Sequence, residues 1–429
     1  MNQKSLTSHP AFKVFLAVCI YNFFAYGVIM NTQSTFVTPI TTALDFARGD
    51  FSISITVRAL CGAVGTAFVG RIMPKVKNIR IYFAILSLCF VANFLVQTLF
   101  TEIWQFVAIA VFSGLLNGLA VYSTVALILP NWFVRPSRYI GIAMAMSGVG
   151  GIIFSPVLGA IFTNFSWKGG FYFEAAMCLV ILLPISLFGL RLKPEEIGAQ
   201  PFASEADLAE LEQDQVKAAQ KQATAHLGLT LKEAMGQPVF YVSVLYFVSV
   251  AFVCGIFAQV TPVLSSKGFD TMVSSSLTSF YNAGMFVGQF FAGFLVRKLK
   301  IKNTCFIYLI GLILACIGVI TIQSPIVIIF GIIAFLLGCG RIFSTVMGPT
   351  ITLEAYGQKD YSKIWSTLYP FFIVPSAFVA TIMGYVYDFT GSYNGVFYAM
   401  IGFIVVLALC VIYITAFSAR RKNAMLGNG

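Results

Sequence analysis

Twelve apolar runs, each long enough to cross a lipid bilayer as a helix, decide most of what this chain can fold into. They lie at roughly 12–38, 50–72, 79–100, 103–130, 138–163, 168–190, 238–263, 272–296, 303–323, 325–352, 362–387 and 394–418. A bilayer core is about 30 Å thick, and about 20 helical residues cover it. Inside hydrocarbon a segment has to satisfy its own backbone, so each run is expected to be a helix. The expected fold class is all-α integral membrane, with twelve transmembrane helices. Charged residues make up 10% of the chain, against about 25% in soluble domains, so no large water-facing surface is available.

The segment between the sixth and seventh runs is different in kind. From Leu192 to Gln237 it is rich in Glu, Asp, Gln and Ala, and it reads as a polar linker with one helix capped at Ser204. The expected organisation is residues 1–191 as a six-helix half, 192–237 as the linker, and 238–429 as a second six-helix half. Of the 27 Lys and Arg residues, 22 fall in the loops, tails and linker on one side of this arrangement. Only Arg48, Lys168 and Lys267 fall on the other side, and Arg58 and Arg341 sit within spans. By the positive-inside rule the basic side is cytoplasmic, so both termini are expected there.

The same distribution removes several functions. A net charge of +11 is spread over short loops, so no nucleic-acid surface is expected. The linker holds no Walker sequence. The nine cysteines lie inside apolar runs without metal-ligand spacing, and His9 and His226 lie in polar segments. They read as small apolar fillers and surface residues, so neither a metal nor a cofactor is expected.

The two halves repeat. Phe36-Val37-Thr38-Pro39 matches Gln259-Val260-Thr261-Pro262 at a separation of 223, as do Gly65 and Gly288, Gly70 and Gly293, and Lys75 and Lys298. Gly159 and Gly384, and Gly170 and Gly395, match at 225. Two parallel six-helix repeats around a cytoplasmic linker resemble the major facilitator transporters. The loop Gly70 to Arg80 resembles that superfamily's loop after the second helix, with Pro74 near the place of its usual acid. A more specific stretch runs through Tyr122, Asn131-Trp132-Phe133, Arg138, Gly148, Gly150 and Ser155-Pro156. With Tyr356-Gly357-Gln358-Lys359-Asp360-Tyr361 and Leu368-Tyr369, it resembles the monocarboxylate transporter and oxalate–formate antiporter branch.

The resemblance implies a transporter rather than an enzyme, working by alternating access in a bacterial inner membrane, functional as a monomer. It implies small organic anions as substrates, monocarboxylates first. Efflux of a larger amphipathic or drug-like molecule is the alternative. By landmark counting, the two basic positions of the oxalate exchanger correspond to Gln289 and Phe372, both uncharged, which argues against oxalate itself.

Arg341, in Gly338-Cys339-Gly340-Arg341, stands near the middle of the tenth span. A charge there costs at least about 2.5 kcal/mol and calls for a partner, so Arg341 is the expected principal anion contact. Arg58 is expected to reach outward to Asp45 or Asp50, or to act at the substrate entrance. Tyr122, Asn31 and Tyr369 are expected to add neutral hydrogen bonds, with Gln289 beside them. No acid stands near the centre of a span, and Glu174 and Glu354 read as span-end residues. Exchange or facilitated diffusion is therefore the expected coupling, with Glu174 and Glu354 the first residues to test if uptake is proton-driven.

Overall fold

The computed structural model describes residues 6–76, 78–134, 136–203, 228–357 and 359–426. Helices account for nearly all of them, and among the described residues there is no strand, only two isolated β-bridges. Among the described residues ten helices are long and apolar enough to cross a membrane. The expected helix at Ser204 lies outside the described residues.

The chain divides into two compact units, Met1–Lys217 with Asp270–Ser279, and Ala218–Phe269 with Phe280–Gly429. The first contains α1 (Pro10–Ala25), α2 (Gln33–Ala43), α3 (Arg48–Ile72), α4 (Ile79–Gln97), α5 (Ile103–Leu116), α6 (Thr124–Trp132), α7 (Pro136–Asn164) and α8 (Trp167–Met177). The second contains α9 (Leu231–Met235), α10 (Pro238–Gly255), α11 (Val260–Ser265), most of α12 (Thr271–Thr321), α13 (Val327–Cys339), α14 (Gly348–Tyr356), α15 (Tyr361–Leu368), α16 (Pro370–Thr390) and α17 (Asn394–Leu426).

Several of the twelve expected spans are not single straight helices. The first, expected over 12–38, is interrupted between Ala25 and Gln33. Side chains anchor the break: Asn22 Nδ2 donates to Ala143 O at 2.6 Å and Asn31 Nδ2 to Ser147 O at 2.8 Å, both on α7. The eighth and ninth spans run together as α12, which turns sharply at Lys300, with φ 64° and ψ 160°.

Glycine sets the closest helix contacts in each unit. In the first, α3 meets α5 where a Cβ on Gly114 would lie 2.4 Å from Arg58 O, and meets the turn after α5 where one on Gly118 would lie 2.3 Å from Gly62 O. In the second, α12 and α13 meet where a Cβ on Gly338 would lie 2.0 Å from Tyr281 O, and one on Gly284 would lie 1.9 Å from Phe335 O. Helices in lipid gain little from apolar burial against each other, so backbone approach through small residues supplies the packing.

Both ends of the linker are pinned by main-chain pairing. Phe202 N–H donates to Trp132 O at 2.8 Å, and Val134 N–H donates to Phe202 O at 3.0 Å. At the other end Gly228 bridges Gly357, and Leu229 N–H donates to Tyr356 O at 2.9 Å. Phe133 and Gly357, the bridging residues, are 224 positions apart, so the two anchors use repeat-related places. Gly357 has φ +80°, a backbone conformation that glycine tolerates and other residues rarely adopt. Asp360 Oδ2 accepts from Leu231 N–H at 3.1 Å, and its Oδ1 meets Lys363 Nζ at 3.2 Å. The Leu231 amide first, and then Lys363, hold the Asp360 carboxyl below the usual aspartate value of 3.8.

Candidate functional site

Arg341 occupies a break in the backbone of its span. The helix α13 ends at Cys339, residues 340 and 341 form a turn, and a π-helical turn follows at Phe343–Met347 before α14 resumes. A π-turn displaces the hydrogen-bond ladder and recurs at functional sites. The Arg341 carbonyl is heavily used: besides the Ser344 and Thr345 amides, both at 3.3 Å, it accepts from Ser344 Oγ and Thr345 Oγ1 at 3.0 and 3.1 Å. The half-buried guanidinium lies over the Phe257 ring, 5.7 Å from its centroid. The fully buried Tyr281, 5.8 Å from Phe257 between ring centroids, and the Cys254 thiol both lie within its field. Cys254 Sγ in turn donates to Gly340 O at 3.6 Å. Phe257, Tyr281 and Cys254 give the guanidinium a largely aromatic and apolar setting.

The corresponding place in the first unit carries a second π-helical turn, Asn117–Val121, between α5 and α6. Tyr122 follows directly, with its hydroxyl 4.0 Å from Met30 Sδ and its ring 5.9 Å from Tyr26. It stands within the field of Arg58. Arg58 itself departs from expectation. The acid that shares its cavity is Glu174 from α8. Glu174 is correspondingly no exposed span-end group: it is 3% exposed, seven residues inside the span that begins at Trp167. Hydropathy locates a residue along a helix axis but not the face it presents, which is why their common cavity was hidden.

Arg58 and Glu174 line a cavity of ≈ 20 Å³, room for about one or two waters. Gln33 and Gln97 add polar groups to its wall, and Phe36, Phe94 and Phe171 add rings.

The other expected contacts are distributed. Asn31 is 2% exposed and its amide is used on Ser147, so it holds the broken first span to α7. Tyr369 stacks on Trp365 at 4.9 Å and lies 5.5 Å from Phe372, at the junction of α15 and α16. Gln289 is half-buried on α12 and makes no side-chain hydrogen bond among the described residues. Sequence reasoning missed Phe257 and Tyr281, and placed Glu174 at a span end where the structure buries it. The two aromatic residues are indistinguishable in sequence from the bulk of 43 Phe and 18 Tyr.

The sequence matches the Major Facilitator Superfamily over residues 18–369. It is 25% identical to monocarboxylate transporter 12 of Rattus norvegicus over 344 residues, covering 73% of this chain and 67% of that protein. It is 24% identical to monocarboxylate transporter 12 of Homo sapiens over 307 residues, covering 68% of this chain and 58% of that protein. In fold it is similar to the nucleoside transporter NupG, with a TM-score of 0.69, 12% identity, and coverage of 94% of this chain and 98% of that one. A bacterial homolog of the human lysosomal transporter Spinster superposes with a TM-score of 0.62 at 15% identity, covering 97% and 98%. These matches, with the all-helical fold and the paired repeats, place the chain in the Major Facilitator Superfamily, on a branch like that of the monocarboxylate transporters.

Proposed function

We propose that this protein carries small organic anions, monocarboxylates first, across a membrane by alternating access, with Arg341 as the anion contact. The observation that carries this reading is Arg341 itself: a guanidinium within a spanning segment, on a backbone break, over the Phe257 ring. An intramembrane charge needs a task, and a carboxylate matches the guanidinium fork in two parallel hydrogen bonds. Phe257 and Tyr281 would then hold the arginine in place and close the apolar side of a short substrate. The similarity to monocarboxylate transporter 12 supports the same substrate class. We further propose that the linker and both termini face the cytoplasm, as the basic loops favour.

The test is a thermal-shift series on purified protein with acetate, lactate, pyruvate, succinate and neutral uridine. A ligand at about 100 times its Kd adds about 2.7 kcal/mol to stability. A monocarboxylate should raise the melting temperature of the native protein and leave folded Arg341→Ala unmoved. Stabilisation by uridine alone, or equal shifts in Arg341→Ala, would overturn the reading.

A further inference from the structure

Each unit brings two helices together by the same device, and the match fixes which residues correspond. A Cβ on Gly114 would meet Arg58 O at 2.4 Å, and one on Gly338 would meet Tyr281 O at 2.0 Å. Gly114 and Gly338 are 224 positions apart, and Arg58 and Tyr281 are 223 apart, as in the sequence repeat. The linker anchors agree, since Phe133 and Gly357 are also 224 apart. Three residues after Gly114 stands Asn117, and three after Gly338 stands Arg341. Asn117 is therefore the first unit's counterpart of Arg341.

Local structure repeats with the register. Asn117 opens the π-helical turn Asn117–Val121, and Arg341 lies two residues ahead of the π-helical turn Phe343–Met347. The Asn117 carbonyl accepts from Tyr122 N–H at 3.0 Å, as the Arg341 carbonyl accepts from the turn that follows it. Such turns are rare and recur at functional positions.

The side chain is what sets Asn117 apart from its neighbours. It is 2% exposed, and its Oδ1 is buried with no hydrogen-bond partner among the described residues. The other buried asparagines described in this unit are spent on packing. Asn22 and Asn31 donate to carbonyls of α7, and Asn93 Oδ1 accepts from Ser113 Oγ at 2.7 Å. A buried polar atom is normally satisfied, so one left open on a π-turn calls for a partner from outside the chain.

We propose, resting on the anion reading of Arg341, that Asn117 is a specificity-determining substrate contact of the first unit and recognises a neutral hydroxyl group. An amide offers an acceptor and two donors, and a hydroxyl both donates and accepts, so either end of the amide can meet it. A second carboxylate is a poorer match, because an amide brings no charge to offset the desolvation of an anion. An acid without the hydroxyl leaves Asn117 Oδ1 unpaired, and that is the source of discrimination. With a cation at one repeat-related position and a neutral amide at the other, the chain suits an acid carrying one carboxylate and one hydroxyl. It ranks such an acid ahead of the unsubstituted acid and of the dicarboxylate.

The experiment compares butyrate, its 2-, 3- and 4-hydroxy derivatives, and succinate, each titrated against the purified full chain by thermal shift. The native protein should bind at least one hydroxybutyrate about threefold to tenfold more tightly than butyrate, the worth of one neutral hydrogen bond. Asn117→Leu, apolar and similar in size, should collapse that ratio to about one. A role in packing alone would weaken both acids together and leave the ratio standing. Should Asn117→Leu fail to fold, Asn117→Ala supplies the same ratio. A native protein that prefers no hydroxy acid to butyrate would overturn the proposal. So would a preference that survives in the folded variant, or succinate binding more tightly than every hydroxybutyrate. A native protein that binds none of these acids would instead bring down the anion reading of Arg341, and the role of Asn117 with it.

Discussion

Replacing Gly338 by alanine tests whether the tenth span holds Arg341 by backbone contact with the eighth. The added Cβ would stand 2.0 Å from Tyr281 O and 2.9 Å from Met285 N, where ordinary contact begins at 3.4 Å. The neighbour is helix backbone, which cannot rotate away as a side-chain tip can. Relief therefore demands a retreat of about 1.4 Å between α12 and α13, and the closely set Gly284–Phe335 contact would open with it. Overpacking of this kind costs about 1–3 kcal/mol. Gly293 on the same α12 helix provides the control, since a Cβ there meets nothing within 4 Å. In a helix interior alanine is about 0.5–1 kcal/mol better than glycine, so Gly293→Ala should be neutral or slightly stabilising. The assay is the temperature at which detergent-solubilised protein loses its monodisperse elution peak. Gly338→Ala should lose several degrees, Gly293→Ala none. If the two variants melt together with the native protein, glycine-mediated approach is not what sets this contact.

Other outcomes follow from particular groups. Arg341→Lys keeps a charge but loses the planar fork, so titration of the stabilising monocarboxylate should show affinity reduced about tenfold or more, in line with a charge-assisted bond of about 1.5–3 kcal/mol. Asp360→Asn should speed deuterium exchange at Leu231, whose amide the carboxylate accepts. Because the folded carboxyl sits below its usual 3.8, the native brace is complete above that value and is lost as pH falls through the lower one. A Leu231 protection factor, corrected for the intrinsic pH dependence of exchange, that is unchanged in Asp360→Asn and in acid would remove the assigned role. Cysteine placed at the exposed Glu195 should react with an impermeant reagent only from the cytoplasmic side; labelling of intact cells would reverse the orientation.

Most of the architecture is legible because hydrocarbon leaves so few choices. Apolar run length marks the spanning segments, and the all-helical class follows from it. The failures share a cause. Residues 26–32 are nearly as apolar as the helix before them, so the break in the first span hides from hydropathy. What opens it is a tertiary exchange, in which Asn22 and Asn31 bond carbonyls of α7. Arg341 could be singled out because a charge in a span is rare whatever surrounds it. Its ring partner Phe257 could not, since any phenylalanine reads the same in a membrane chain. Glu174 stayed hidden for a related reason: depth along a helix can be counted, but the partner across the bundle cannot.

The paired anchors of the linker bear on how the chain could be divided. Phe202 stays joined to the first unit through Trp132 and Val134, and Leu229 to the second through Tyr356. A cut between residues 203 and 228 therefore severs no main-chain hydrogen bond described in either anchor. Two fragments made separately would each carry their own closing strap. That makes this interval the natural seam for reassembling the protein from two polypeptides, or for inserting a reporter without unpinning either set of helices.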